Sequence, residues 1–180
     1  MALPASQRTV QRLVDEHYQV LYRYAYRLTG SASDADDLTQ EAFCKAQTSW
    51  SQLRELAKAR AWLFRILRNV YLHKQRADRS HRCVSLDDLS DIPSRLPDPL
   101  PPVEPNQLQE ALNELPEVFR TPIILYYFED FSYRDIAEQM DLPLGTVMSR
   151  LARARAHLRS RLYPEAEAVA GSQRRATDGL

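Results

Sequence analysis

The chain has 180 residues, with 24 Lys and Arg against 24 Asp and Glu, so its formal net charge is zero. That length fits one medium or two small domains with modest cores, and the charge balance excludes a polyanion binder held by net charge alone. The balance hides a segregation: Lys58 to Arg82 is basic apart from Asp78, and Asp87 to Glu117 is acidic apart from Arg95. A second basic island follows the acidic belt, an arrangement that points to two nucleic-acid contacts with something else between them.

Glycine is scarce and β-branched runs are short, which predicts an all-α fold. Helical spacing of Val10, Leu13, Val14, His17, Leu21, Tyr24, Ala25 and Leu28 predicts a first helix from Thr9 to Gly30. Ser33, with Asp36 three residues on, predicts a capping box for a second helix. That helix would bury Ala35, Leu38, Ala42 and Ala46, with Phe43 near the edge. Its other side carries Asp34, Asp37, Gln40 and Glu41. Asp34 and Asp36 suit the positive end of the helix dipole; Asp37, Gln40 and Glu41 have less of that explanation.

Ser49 to Leu56 reads as a loop beginning at Trp50, and a long helix follows from Ala57 or Ala59 to about Arg79. Rings and cations alternate along it: Trp62, Phe64-Arg65, Arg68-Asn69, Tyr71, Lys74 and Arg76. Single-stranded nucleic acid asks for this pattern, since cations track the backbone and rings stack bases at roughly 1–3 kcal/mol each. For Trp62, Leu63 and Ile66 burial is the preferred reading, because a three-helix domain needs a core. Prolines and acids make Ser85 to Pro105 a linker. A short helix from Pro105 or Asn106 through Leu115 comes next, then another from Pro116 through Phe128. Pro122 should bend this last helix or delay its regular start.

Phe131 to Leu162 reads as two helices around a tight turn. Ser132 and Asp135 form a capping box, Phe131 staples onto Ile136, and Ile136 and Met140 face inward. Pro143 and Gly145 break the helical run within Asp141–Gly145. The second helix has Val147, Leu151, Ala154, Leu158 and Leu162 on one stripe. At about 100° per residue, Gly145, Ser149, Ala152, Arg153 and Ala156 point the opposite way. Arg150, His157 and Arg161 border the stripe on one side, and Met148, Arg155 and Arg159 on the other; no acid occurs from Gly145 to Tyr163. A face of small residues ringed by arginine suits the DNA major groove, where a helix approaches closely and arginines reach guanine edges or phosphates. An amphipathic helix with merely solvated arginines is the alternative, and the capped helix and Pro-Gly turn before it weigh against that.

Cys44 and Cys83 make no disulfide framework. His73, His81 and Cys83 lack a fourth ligand and a ligand spacing, so no metal or other cofactor is expected. The N-terminus has no signal-peptide layout and no apolar run reaches membrane length, which predicts a cytoplasmic protein. The fold expected is two small helical domains joined by a Pro-rich acidic linker, the second containing a helix-turn-helix. Residues 1–82 form the first domain, 83–105 the linker, 106–163 the second domain and 164–180 a disordered tail.

In this order the pieces resemble an extracytoplasmic-function (group 4) sigma factor of bacterial RNA polymerase, of the sigma-70 family. The residues carrying the resemblance are DADDLTQEAFCKA (Asp34–Ala46), RAWLFRILRN (Arg60–Asn69), LPEVFRTPIILYYFEDFSYRDIAEQM (Leu115–Met140) and LPLGTVMSRLARAR (Leu142–Arg155), and it spans Val10 to Leu162. The resemblance implies a non-enzymatic promoter-specificity subunit that partners core polymerase through the β′ clamp helices and β flap, binds promoter DNA and is held by an anti-sigma factor. It gives Asp37, Gln40 and Glu41 the β′ contact. It gives Ser51 to Lys58 the capture of a base flipped from the minus-ten element, with Lys58, Arg60, Trp62, Arg65 and Asn69 around that site. Gly145, Thr146, Met148, Ser149, Arg150, Ala152, Arg153 and Arg155 would meet the minus-thirty-five element: Ser149 and Arg153 at bases with Met148 beside them, Arg150, Arg155 and the amides of Gly145 and Thr146 at phosphates. Many relatives carry a basic residue where this chain has Met148, so a base contact there would be apolar. The stretch VYLHKQRADR after Asn69 also departs from the family.

Two other readings follow from the residues alone. A stand-alone helix-turn-helix regulator would bind duplex DNA without polymerase, but it leaves the aromatic-basic helix and the acidic helix unemployed. An enzyme acting on nucleic acid would need clustered carboxylates, a phosphate loop or a nucleophile–base pair, none of which the sequence offers.

Overall fold

The computed structural model describes residues 5–78 and 103–164. The expected linker (83–105) and C-terminal tail, with Arg79, His81, Arg82 and Cys83, lie almost wholly outside the described residues. Those residues form seven α-helices and no strand: α1 (Ala5–Thr29), α2 (Ala32–Thr48), α3 (Ala59–Asp78), α4 (Pro105–Glu114), α5 (Glu117–Tyr127), α6 (Tyr133–Met140) and α7 (Leu144–Leu162). Helices α1, α2 and α3 pack on one another as one lobe, and α7 packs against α4, α5 and α6 as a second.

Helix ends follow local chemistry, with one correction. Gly30 stops α1 at φ +72°, a left-handed conformation that glycine adopts freely. The cap of α2 is Ser31, not Ser33: its hydroxyl accepts from the Asp34 amide at 3.3 Å. Ser31-x-x-Asp34 and Ser33-x-x-Asp36 are overlapping copies of one signal, and the left-handed Gly30 delivers the chain to the earlier one. The loop after α2 is two short 3₁₀ turns, Trp50–Gln52 and Leu56–Lys58. Pro105 opens α4 at its first turn, where a missing amide costs nothing. Helix α5 starts at Glu117 and runs through a buried Pro122, so the late start considered for it does not occur.

The helix-turn-helix closes as its sequence predicts. Ser132 accepts from the Asp135 amide at 3.2 Å and the Asp135 carboxylate accepts from the Ser132 amide at 3.0 Å, completing the capping box. Asp141 turns left-handed at φ 54°, and the Leu142 amide donates back to Ala137 O at 3.0 Å, a helix stop of the Schellman kind. Val147, Leu151 and Ala154 are buried, as their stripe requires. Ala156, placed outward by the helical wheel, is buried as well. Helix α4 also packs on α7, and Glu114 at its end reaches Arg161 (2.8 Å).

The two lobes share one core. Tyr24 of α1 lies 4.8 Å from the ring of Phe64 on α3, and Phe64 lies 5.2 Å from Phe131, which precedes α6. All three are buried within one continuous apolar cluster. Around that seam each lobe satisfies the other's helix ends, whose last carbonyls have no partner within the helix. Arg120 Nη1 donates to Leu28 O (2.7 Å) and Gln109 Nε2 to Arg27 O (3.2 Å), both at the end of α1. In return, Arg65 Nη2 of α3 donates to Glu138 O at 2.7 Å, in the last turn of α6. A cation at a helix C-terminus also meets the negative end of the dipole. Arg27 stacks over Phe128 at 3.6 Å, adding a cation–π contact across the seam.

Candidate nucleic-acid interface

Two basic surfaces emerge, in opposite states of exposure. The first is the start of α7. Pro143 provides the N-cap and no side chain caps this end; the Thr146 and Val147 amides donate to Pro143 O (3.0 and 3.2 Å), which leaves the Leu144 and Gly145 amides as the open donors of the first turn. A Cβ built on Gly145 meets nothing within 4 Å, so the fold itself makes no steric demand for glycine there. Met148 is 50% exposed and Ser149 is exposed, its hydroxyl donating to Thr146 O at 3.2 Å. Thr146, Ala152, Arg153 and Arg155 are half-buried along the next turns. Arg150 is half-buried too; burial lowers its pKa, nearby Glu117 opposes that and Arg68 adds to it. The outward face near the helix start is therefore Gly145, Met148 and Ser149, with Arg153 and Arg155 behind it and Arg150 within the field of α5.

The second surface is α3 with the turns before it. Arg60 Nη2 donates to Glu129 O at 2.8 Å and pairs with the Glu129 carboxylate at 3.3 Å. Its guanidinium lies 5.0 Å from the Phe64 ring and 5.1 Å from that of Phe131. Gln139 Nε2 of α6 donates to Ala61 O at 2.6 Å, and Arg65 holds Glu138 O as described. Trp62 is half-buried and meets Trp50 edge-on at 6.3 Å. Between the turns, α3 and α6 is a cavity of about 460 Å³, lined among others by Leu53, Lys58, Trp62, Arg65, Asp135 and Gln139. Of the five residues expected around a minus-ten site, Lys58, Trp62 and Arg65 share this cavity, Arg60 sits in the seam, and Asn69 is exposed beyond it. Lys58 also pairs with Glu55 at 3.0 Å.

Glu129 is the unusual group of this seam. Its side chain is only 4% exposed and burial pushes its carboxyl up to about 7; Arg60, Arg23 and Arg27 pull the other way and Asp130 reinforces the rise. A second ion pair, Arg68 to Glu117 at 3.6 Å, also crosses from α3 to α5. Sequence reasoning singled out none of Glu129, Gln139, Gln109 or Arg120. The acid pair Glu129-Asp130 before Phe131 was visible, but nothing in it signalled burial.

On α2, Asp37 and Gln40 are exposed and unengaged by the lobe's own packing. Glu41 is half-buried and pairs with Lys45 (3.6 Å) and Lys74 (3.2 Å), so it is partly committed to α3. No helix among the described residues is long and apolar enough to cross a membrane.

Residues 13–81 match the family described as Sigma-70 region 2, and residues 106–158 match Sigma-70, region 4. The chain is 36% identical over 165 residues to the ECF RNA polymerase sigma factor SigE of Mycolicibacterium smegmatis, covering 89% of this chain and 64% of that longer protein. It is 35% identical over 153 residues to SigL of Mycobacterium tuberculosis, covering 83% of this chain and 86% of that one. Among solved structures it is similar to the sigma factor RpoE of Bartonella quintana, determined in complex with the anti-sigma factor NepR. That match has a TM-score of 0.68 and 26% identity, over 86% of this chain and 97% of the other. With both sigma regions in order on an all-helical frame that ends in a helix-turn-helix, this chain belongs to the ECF sigma factors, the promoter-specificity subunits of RNA polymerase.

Proposed function

We propose that the chain binds core RNA polymerase in the cytoplasm, reads a minus-thirty-five element with α7 and holds the melted minus-ten strand on α3 and the turns before it. The observation that carries this reading is the bare first turn of α7, where Gly145 has open space around it and Met148 and Ser149 are exposed. A groove-reading helix needs such close approach, and a purely structural helix has no use for it. Ser149 and Arg153 would contact base edges, and Met148 a thymine methyl. The Gly145 amide, with Arg155, would take phosphates, and the Thr146 amide, which already donates to Pro143 O, would at most share its hydrogen; Arg150 would join them once turned away from Glu117. Ala152 supplies room between these contacts.

On the other lobe, Trp62, Arg65, Lys58, Arg60 and Asn69 would surround a base taken from the non-template strand. Extrusion costs a few kcal/mol, so capturing the base stabilises the open duplex without nucleotide hydrolysis. Asp37 and Gln40, with Glu41, would meet the β′ clamp helices and the second domain the β flap. Residues 1–82 and 106–163 act as the two binding domains, and the chain contributes no catalytic step of its own. An anti-sigma partner is supported by the similarity to RpoE, which was solved with one.

Transcription in vitro tests the reading: core polymerase with and without the chain, on fragmented genomic DNA, with RNA 5′ ends sequenced. New discrete starts that share two spaced upstream elements are the expected result. No new starts, with tight duplex binding by the chain alone, would replace this reading with a stand-alone regulator.

A further inference from the structure

We infer that the cavity between the last two turns of α1 and the first turns of α4 binds a nucleoside diphosphate, a small-molecule site apart from the two surfaces proposed to meet DNA. Its volume is about 260 Å³, and it shares no lining residue with the cavity beside α3. That size lies just under the ~300–1,000 Å³ of drug-sized sites, which suits one ring and a short phosphate chain rather than a dinucleotide.

Three chemistries converge on the cavity. Arg23 and Arg27 stand one turn apart on α1 and both line it, and no acid is among its described lining residues. Arg23 is exposed and makes no hydrogen bond or ion pair among the described residues. Arg27 stacks over Phe128 at 3.6 Å, which holds its guanidinium in place. Burial lowers the Arg27 pKa, Glu129 opposes that and the repulsion of Arg23 adds to it, so an anion between the two guanidiniums relieves both. Glu129, the acid that acts on both, is already paired with Arg60 at 3.3 Å. Two arginine forks ask for a phosphate each, which a diphosphate supplies and a lone carboxylate does not. Tyr22 and Tyr26, again one turn apart, line the same wall, and Tyr26 is 37% exposed, so a base has ring faces to stack on. From α4, Gln109 provides the third element. It is 8% exposed, and its Nε2 donates to Arg27 O (3.2 Å) and Asn113 Oδ1 (3.0 Å), which uses both amide hydrogens and fixes which end is the oxygen. Its Oε1 is left without a partner in the protein. A buried acceptor in that state requires a donor, and a ribose hydroxyl or a base N–H is one. Anion, ring and donor together describe a nucleoside phosphate; a bare phosphate satisfies only the first.

Calorimetric titration of the full chain with GDP, with ADP and with inorganic pyrophosphate tests the assignment. GDP or ADP should saturate a single site per chain, and pyrophosphate should bind more weakly. Arg23→Ala, at an exposed position outside the core, should weaken nucleotide binding about tenfold and leave the urea midpoint unchanged. Tyr26→Ala should weaken GDP or ADP severalfold and leave pyrophosphate unmoved. Arg65→Ala, which alters the cavity beside α3, should change neither. Heat that does not saturate at millimolar nucleotide, or equal affinity in parent and Arg23→Ala, would overturn the inference. So would a loss in Arg65→Ala without one in Arg23→Ala, which puts the nucleotide beside α3. Pyrophosphate bound as tightly as GDP and ADP would overturn the nucleoside assignment, since the tyrosines and Gln109 would then contribute nothing.

Discussion

At the start of α7 the outward surface is bare: Gly145 has no neighbour for a side chain to touch, and Met148 and Ser149 lie open. On α3 the cations are already engaged, Arg60 by Glu129 and Arg65 by the end of α6. The two surfaces belong to one chain and, on the proposed reading, would serve one kind of ligand, yet one is bare and the other engaged within the chain. The difference lies in how each ligand is met. Duplex DNA offers its groove before any melting, so a preformed face suits it. A melted strand exists only after polymerase has engaged, and a strongly basic aromatic face left open beforehand would gather unrelated single strands through charge alone.

The covered side breaks most severely at Phe64, which is buried between Tyr24 and Phe131. Phe64→Ala should cost about 3–5 kcal/mol in urea unfolding, since it removes the ring that both lobes share. A loss under about 1 kcal/mol would mean that the cluster collapses to fill the space and that the seam does not depend on it. On the presented side, Arg153→Ala should cost roughly 1–3 kcal/mol of promoter affinity, concentrated at one position of the upstream element. An equal loss on every sequence would instead make Arg153 a phosphate contact.

Gly145→Ala sharpens the contrast further. It should stabilise the free chain by about 0.5–1 kcal/mol, because alanine is the better helix former and nothing obstructs its methyl. The same methyl should weaken duplex promoter binding severalfold by holding α7 off the groove. Stabilisation with undiminished binding would show that α7 does not approach DNA through its first turn.

The smallest effect is a pH dependence of lobe closure. Glu129 has its pKa raised to about 7 by burial, against an ordinary value of 4.5. The ion pair offsets only part of that burial cost, because Arg60 is itself 40% exposed. If opening returns the carboxyl towards its ordinary value, the closed form binds more protons between those two pH values. Lobe packing is then favoured at low pH, weakens as pH rises from about 4.5 to about 7 and levels off above that, so stability to urea should fall across that window. Glu129→Gln should flatten that profile, and stability that rises with pH across that window would refute it. The charged and titratable neighbours that face Glu129 are Arg23 and Arg27 on α1, Arg60 on α3 and Asp130 beside it.

What the sequence disclosed and what it withheld separate along a physical line. The Ser132–Asp135 box and the Val147, Leu151, Ala154 stripe were legible because each depends on residues within a turn or two. The choice of Ser31 over Ser33 was not, since both carry the same signal and the conformation of Gly30 selects between them. Ala156 was placed outward by spacing alone and is buried in the fold; the period of one helix carries no record of what its neighbours shield. The contacts of the seam were hidden for another reason. Arg65, Gln139, Gln109 and Arg120 all donate to backbone carbonyls, which every residue carries and no side-chain pattern reveals. Arg60 and Arg65 could be recognised as cations awaiting an anionic partner, but not that the partner would come from the same chain.

That exchange of partners has a consequence for ionic strength. A cation that meets nucleic acid from open solvent allows a condensed counterion to leave, which makes binding fall steeply with salt. Arg60 already faces the Glu129 carboxylate, so a phosphate there would exchange one anion for another, whereas the carbonyl that holds Arg65 carries no net charge. Strand binding should therefore depend on salt less steeply than the basic residues suggest, by up to ~0.7 in log–log slope for that one arginine. A sigma factor built in this way would keep its grip on the melted strand comparatively steady as the salt around it changes.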